Sequence, residues 1–168
     1  MNPHRKKMIV DFNKIANDSR IWIFQANRIF LKPELEFLEK SISLFLNSWT
    51  AHGSQLKASF KINYNIFIII ALDEKDSTAT GCSIDKLINF MKQIEKEFSI
   101  RLLDRLDISY LLNDEITIDR LDDFKNNILT KKIDKNTIVF NNLIKLKYDL
   151  VDKWKIPLSI SWHKQLIK

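Results

Sequence analysis

Residues 56–72, LKASFKINYNIFIIIAL, change their hydrophobic pattern midway, and that change decides the fold. Leu56, Ala58, Phe60 and Ile62 alternate with Lys57, Ser59, Lys61 and Asn63, a period of two that makes a strand with one wet face. After the turn residues Asn63-Tyr64-Asn65, the run Ile66 to Leu72 is apolar without a break, as a strand covered on both faces must be. The pair reads as an edge strand hairpinned to a central strand, and each face of the centre needs a cover.

Working outward, Ile21-Trp22-Ile23-Phe24 is a second buried strand, followed by Pro33 at the start of a helix. Leu35, Leu38, Ile42, Phe45, Leu46 and Trp49 carry that helix to about Trp49, with Gly53 just past its end. A polar loop over 73–83 precedes a second helix whose apolar face is Ile84, Leu87, Ile88, Met91, Ile94 and Phe98, with Ser83 as its expected N-cap. Leu106, Ile108 and Tyr110 then alternate with polar residues, and Asn113-Asp114 turns the chain into Ile116-Thr117-Ile118.

The order βαββαβ predicts an α+β fold with a ferredoxin-like core over about 18–119, sheet order 4-1-3-2, and one added hairpin strand. A short helix is predicted from about Leu121 to Leu129. A longer one is predicted from Phe140 to Trp154, along the stripe Phe140, Leu143, Ile144, Leu150, Val151 and Trp154. This helical extension over about 120–168 is expected to cover the second sheet face. No Pro-, Gly- or Ser-rich linker interrupts the chain, so residues 1–168 read as a single α+β domain.

The 168 residues are 45% hydrophobic and 29% charged, enough for one substantial core. Gly53 and Gly81 are the only glycines, which excludes the G-x-x-x-x-G-K-[ST] phosphate loop and the G-x-G-x-x-G dinucleotide turn. The net charge of +6 sits entirely in the tail: residues 1–130 balance 18 basic against 18 acidic side chains, whereas 131–168 hold nine lysines against three aspartates. Such a tail suits an anionic surface, although lysine-rich composition alone also produces it.

Cys82 is the sole cysteine, so no intrachain disulfide forms and the expected compartment is the cytoplasm. Arg5-Lys6-Lys7 is followed by only three apolar residues before Asp11, too few for a signal peptide, and Ile66–Leu72 is too short to span a bilayer. One cysteine and three histidines, with no H-x-x-x-H or C-x-x-C pair, lead us to expect neither a metal nor a cofactor.

Three groups of residues are candidates for function. Trp49-Thr50-Ala51-His52-Gly53 and Gly81-Cys82-Ser83-Ile84-Asp85 are expected at one end of the sheet. There Cys82 at a helix start would be a nucleophile, His52 its base, and Asp85 or Asp73 the orienter. The structural alternative makes Cys82 a small half-buried residue, His52 part of a turn and Asp85 a helix-dipole partner. Gly81 and Ser83 would also offer amides to an anion.

At the other end Arg28, Arg101 and Arg105 are expected to converge on an anionic ligand, unless each is a solvated ion pair. In the tail, Trp162 and His163 either dock on the core or meet a partner.

The runs Ile21-Trp22-Ile23-Phe24-Gln25-Ala26-Asn27-Arg28, Trp49 with His52-Gly53, Gly81 to Asp85, Phe140-Asn141-Asn142 and Ser161-Trp162-His163 resemble a bacterial family of unassigned biochemistry commonly labelled "ABC transporter ATPase". The resemblance implies a shared fold and a shared site at Gly81 to Asp85, but no reaction. Walker A is missing, and Leu72-Asp73-Glu74 only mimics the end of a Walker B strand. The function expected is a non-enzymatic binding module for an anionic partner, whether RNA, a nucleoprotein or an acidic protein. The alternative is a thiol-dependent enzyme or redox site at Cys82.

Overall fold

In chain order the elements are β1 (Arg20–Gln25), α1 (Lys32–Ser48), β2 (Thr50–Ala51), β3 (Ser54–Gln55), β4 (Lys57–Asn63), β5 (Phe67–Asp73), α2 (Gly81–Phe98), β6 (Asp107–Leu112), β7 (Glu115–Arg120), α3 (Leu121–Leu129), β8 (Ile138–Phe140) and β9 (Lys155–Pro157). The computed structural model describes residues 9–167. His4, the Arg5-Lys6-Lys7 start and Lys168 lie outside the described residues.

The chain is mixed α+β with antiparallel sheets. As its pattern requires, β5 is buried at all seven positions and lies between β1 and β4, with Ile23 opposite Ile69 and Phe60 opposite Ile70. The two-residue period divides it cleanly. Ile68, Ile70 and Leu72 face a core built with Leu38, Ile42 and Leu46 of α1 and Leu87, Met91 and Ile94 of α2. Phe67, Ile69 and Ala71 face a second core with Phe140 and Trp154.

Two expectations are corrected. Strand β6 does not flank β1; it lies in a second sheet of order β7-β6-β8-β9. The second face of the first sheet is covered by irregular chain around Phe140 and Trp154 and by Ile15, with Ile116 and Ile118 of β7 packed alongside, rather than by C-terminal helices.

The helix predicted from Phe140 to Trp154 is absent for a local reason. Ile138-Val139-Phe140 pairs as a strand with β6 and β9. Asn141 then turns the chain, its Oδ1 accepting from the Leu143 amide while its own amide donates to the Trp154 carbonyl at 2.6 Å. Leu143 and Val151, two members of the presumed apolar stripe, are 54% and 90% exposed. Beyond α3 the chain forms short strands and 3-10 turns.

Helix α2 starts earlier than its apolar stripe implied. Thr80 is the N-cap, its Oγ1 accepting from the Ser83 amide, and Ser83 Oγ accepts from the Thr80 amide at 2.7 Å. Ser83 is thus the third helical residue of a capping box rather than the cap. Among the described residues no helix is long and apolar enough to cross a membrane.

Candidate functional site

The end of α1 and the start of α2 do meet, through the Trp49 indole N–H donating to the Ser83 carbonyl at 2.8 Å. The proposed chemistry is not assembled there. His52 and Gly53 are the two central residues of the β2–β3 hairpin, with φ of 49° and 77°, the left-handed pair that a two-residue hairpin turn demands. His52, Cys82 and Asp85 are all exposed, and among the described residues none of their side chains makes a hydrogen bond or ion pair.

The other orienter, Asp73, is buried on the sheet. Its Oδ2 accepts from Lys57 Nζ at 2.8 Å and its Oδ1 from the Lys75 amide at 3.1 Å. The Lys57 ammonium holds the Asp73 carboxyl below the ordinary carboxylate range. Glu74 accepts from the Ala79 amide, so both carboxylates of the Walker B-like ending shape the loop before α2.

Gly81 is exposed at the first position of α2, and the capping box uses the Ser83 amide, which leaves a weak cradle for an anion. Because Cys82 is exposed rather than half-buried, Cys82→Ser should change stability by less than about 1 kcal/mol. Paired denaturant melts measure this, and a loss of several kcal/mol would place the thiol in the packing.

The three arginines do not share a ligand. Arg28 grips both Glu34 oxygens at 2.8 Å and donates to the Phe98 carbonyl, while Glu34 Oε2 also accepts from the Leu31 amide at the start of α1. The hydrogen bonds from Arg28 draw the Glu34 carboxyl down from its usual range. Arg101 binds Asp107 through Nε at 2.8 Å and Nη2 at 3.0 Å, and Arg120 reaches Asp107 and Asp104. Both Arg28 and Arg101 are therefore bracing elements. Arg105 alone is exposed with no carboxylate partner among the described residues.

Arg105 stands on the rim of a cleft of about 540 Å³, in the space beside β1 where β6 was expected. One wall is the edge of β1 from Arg20 to Gln25; the others come from Ile88, residues 102–105 and 107–109, Phe140, residues 142–145 and Trp162-His163. Gln25 closes the far end. Its Nε2 donates to the Asp107 carbonyl at 3.2 Å, while its Oε1 accepts from Ser109 Oγ at 2.7 Å and Asn142 Nδ2 at 2.8 Å. Asn142 Oδ1 in turn accepts from Trp154 Nε1 at 2.9 Å.

The tail docks. His163 is buried, with Nδ1 2.7 Å from Ser161 Oγ and its ring stacked on half-buried Trp162 at 3.9 Å. Burial lowers the imidazole pKa to about 4, so the ring is neutral at pH 7.

The basic excess of the tail is divided among different tasks. Lys147 is buried and donates to the Ile15 carbonyl at 2.7 Å, and Lys153 pairs with Asp149 at 2.8 Å. Lys145 remains exposed on the cleft, opposite the edge of β1. Lys145 belongs to the basic tail expected to suit an anionic surface, but nothing local set it apart from the other eight lysines, and no local signal marked Gln25 as a site residue. Gln25 lies in the Ile21–Arg28 run, but its role depends on contacts 82 to 117 residues away. Comparisons with protein-family models, curated proteins and solved structures gave no match, so the residues themselves carry the functional reading.

Proposed function

We propose that the protein is a non-enzymatic binding module that holds an acidic protein partner in the cleft beside β1. One observation carries this reading: among the described residues Arg105 and Lys145 line the cleft as exposed cations without carboxylate partners, whereas Arg28 and Arg101 are occupied by Glu34 and Asp107. Ile88, Leu103 and Ile144 give the walls apolar surface, which favours a polypeptide over RNA. A nucleic acid would need exposed stacking platforms, and the Trp22 ring is already covered by the Arg20 guanidinium at 4.6 Å.

The run β1-α1-β4-β5-α2 is read here as a ferredoxin-like core whose fourth edge position is vacated, which is what opens the cleft. The resemblance to the bacterial family and a cytoplasmic location belong to the same proposal. A thiol-dependent site at Cys82 with His52 is the alternative, favoured only by the exposure of Cys82 at the start of α2.

Titration with polyglutamate and, separately, polyuridylate tests the reading, with Trp22 and Trp162 in the cleft as fluorescent reporters. Polyglutamate should bind more tightly, weaken as salt rises, and lose at least tenfold in affinity in an Arg105→Glu/Lys145→Glu variant. Equal or tighter binding of polyuridylate, or indifference to the double reversal, would overturn it.

A further inference from the structure

In β1 the hydrogen-bonding direction alternates. The Ala26 amide donates towards β5, to the Ile66 carbonyl, whereas the Ile21 amide donates the other way, to the Lys145 carbonyl at 2.8 Å. The odd-numbered residues therefore turn their main-chain groups away from β5 and into the cleft. The segment around Lys145 begins to act as a neighbouring strand. It bridges Arg20 at Leu146, and the Lys147 amide donates to the Ser19 carbonyl.

That segment then departs at the Asn141–Asn142 turn. Among the described residues, nothing hydrogen-bonds to the Ile23 amide, the Ile23 carbonyl or the Gln25 amide. A strand edge only two residues long, half-buried Ile23 and buried Gln25, is thus left without main-chain partners in the cleft, between Ile21, held by the Lys145 carbonyl, and Asn27, held by the Arg101 carbonyl. Such an edge is a template for pairing with an extended segment.

We infer that the free edge of β1 at Ile23 and Gln25 takes up one short extended segment of an acidic protein by strand addition. This rests on the cleft reading above and specifies how the partner is held. Main-chain bonds to Ile23 and Gln25 would set the segment's register, and the two-residue period would send alternate side chains to the two sides of the β1 sheet. Arg105 and Lys145 would face carboxylates flanking the segment. This charge complementarity selects an acidic occupant, since Asp104 and Asp107 in the same wall are already bound by Arg120 and Arg101.

The test begins with selection of random ten-residue peptides, displayed on phage, against the full chain, followed by synthesis of the enriched peptides. Enriched sequences should alternate apolar residues and carry flanking Asp or Glu. Methylating the peptide nitrogens that face β1 should cost at least tenfold in affinity, while methylating the alternate nitrogens costs little. Hydrogen exchange of the Ile23 and Gln25 amides should slow on binding.

If acidic peptides bind but tolerate every N-methylation and leave those two amides unprotected, strand addition is overturned while the acidic-partner reading stands. If uncharged peptides bind with alternate N-methyl sensitivity and protect Ile23, strand addition stands and the requirement for an acidic partner fails. Failure to enrich any peptide overturns both.

Discussion

Acidification from pH 7 to pH 5 should remove about 2 kcal/mol of stability through His163 alone, rising to about 3 kcal/mol near pH 4. The buried ring has its pKa lowered to about 4 by burial, while the unfolded chain takes up the proton near 6.5. Between those values the unfolded state binds more protons, so the contribution is full above about pH 6.5 and declines as pH falls towards 4.

Urea melts at pH 7 and pH 5 measure the effect, with His163→Gln as the comparison because it keeps a polar side chain that does not titrate. The variant should be less stable at pH 7 but show a flatter pH dependence. Parallel curves for the two proteins would mean that the imidazole is solvated and the tail only loosely docked.

Phe67→Ala should cost about 3–5 kcal/mol and lower the melting temperature by roughly 10 °C or more. The ring is fully buried, 4.9 Å from Phe140 and 5.0 Å from Trp154 between centroids, and it joins the first sheet to the irregular C-terminal chain. Its loss leaves a cavity where the first sheet packs on the chain around Phe140 and Trp154, so little collapse is available to relieve it. Leu44→Ala, on a side chain 71% exposed, should change stability by less than about 0.5 kcal/mol. Comparable losses from both substitutions would contradict the placement of the second core.

Local pattern disclosed the elements wherever burial and periodicity agreed. The uninterrupted run at Ile66–Leu72 announced a doubly covered strand, and the stripes of α1 and α2 gave both helices and the face they share. Strand neighbours were less accessible, because β6 has the same alternation whether it pairs with β1 or with β8. A single register at Tyr110 and Val139, 29 positions apart, makes that choice.

The stretch 140–154 misled because Phe140, Ile144, Leu150 and Trp154 are spaced as on a helix, yet reach one core through a turn at Asn141. The site followed the same division. Arg105 was legible as a candidate, but its isolation could be known only after Arg28 and Arg101 had found Glu34 and Asp107. Gln25 and Lys145 acquired significance only when β6 left the edge of β1 open.

On the proposed function the protein meets its partner in the cleft beside β1 and not at the surface around Cys82. The most direct measurement is an amide-resolved NMR titration of the full chain with polyglutamate, following every backbone signal. Shifts should concentrate at residues 20–25, 102–109 and 143–145, and should vanish in the Arg105→Glu/Lys145→Glu variant. Shifts centred on His52 and on residues 81–85, with the edge of β1 silent, would contradict the account and return attention to the exposed thiol.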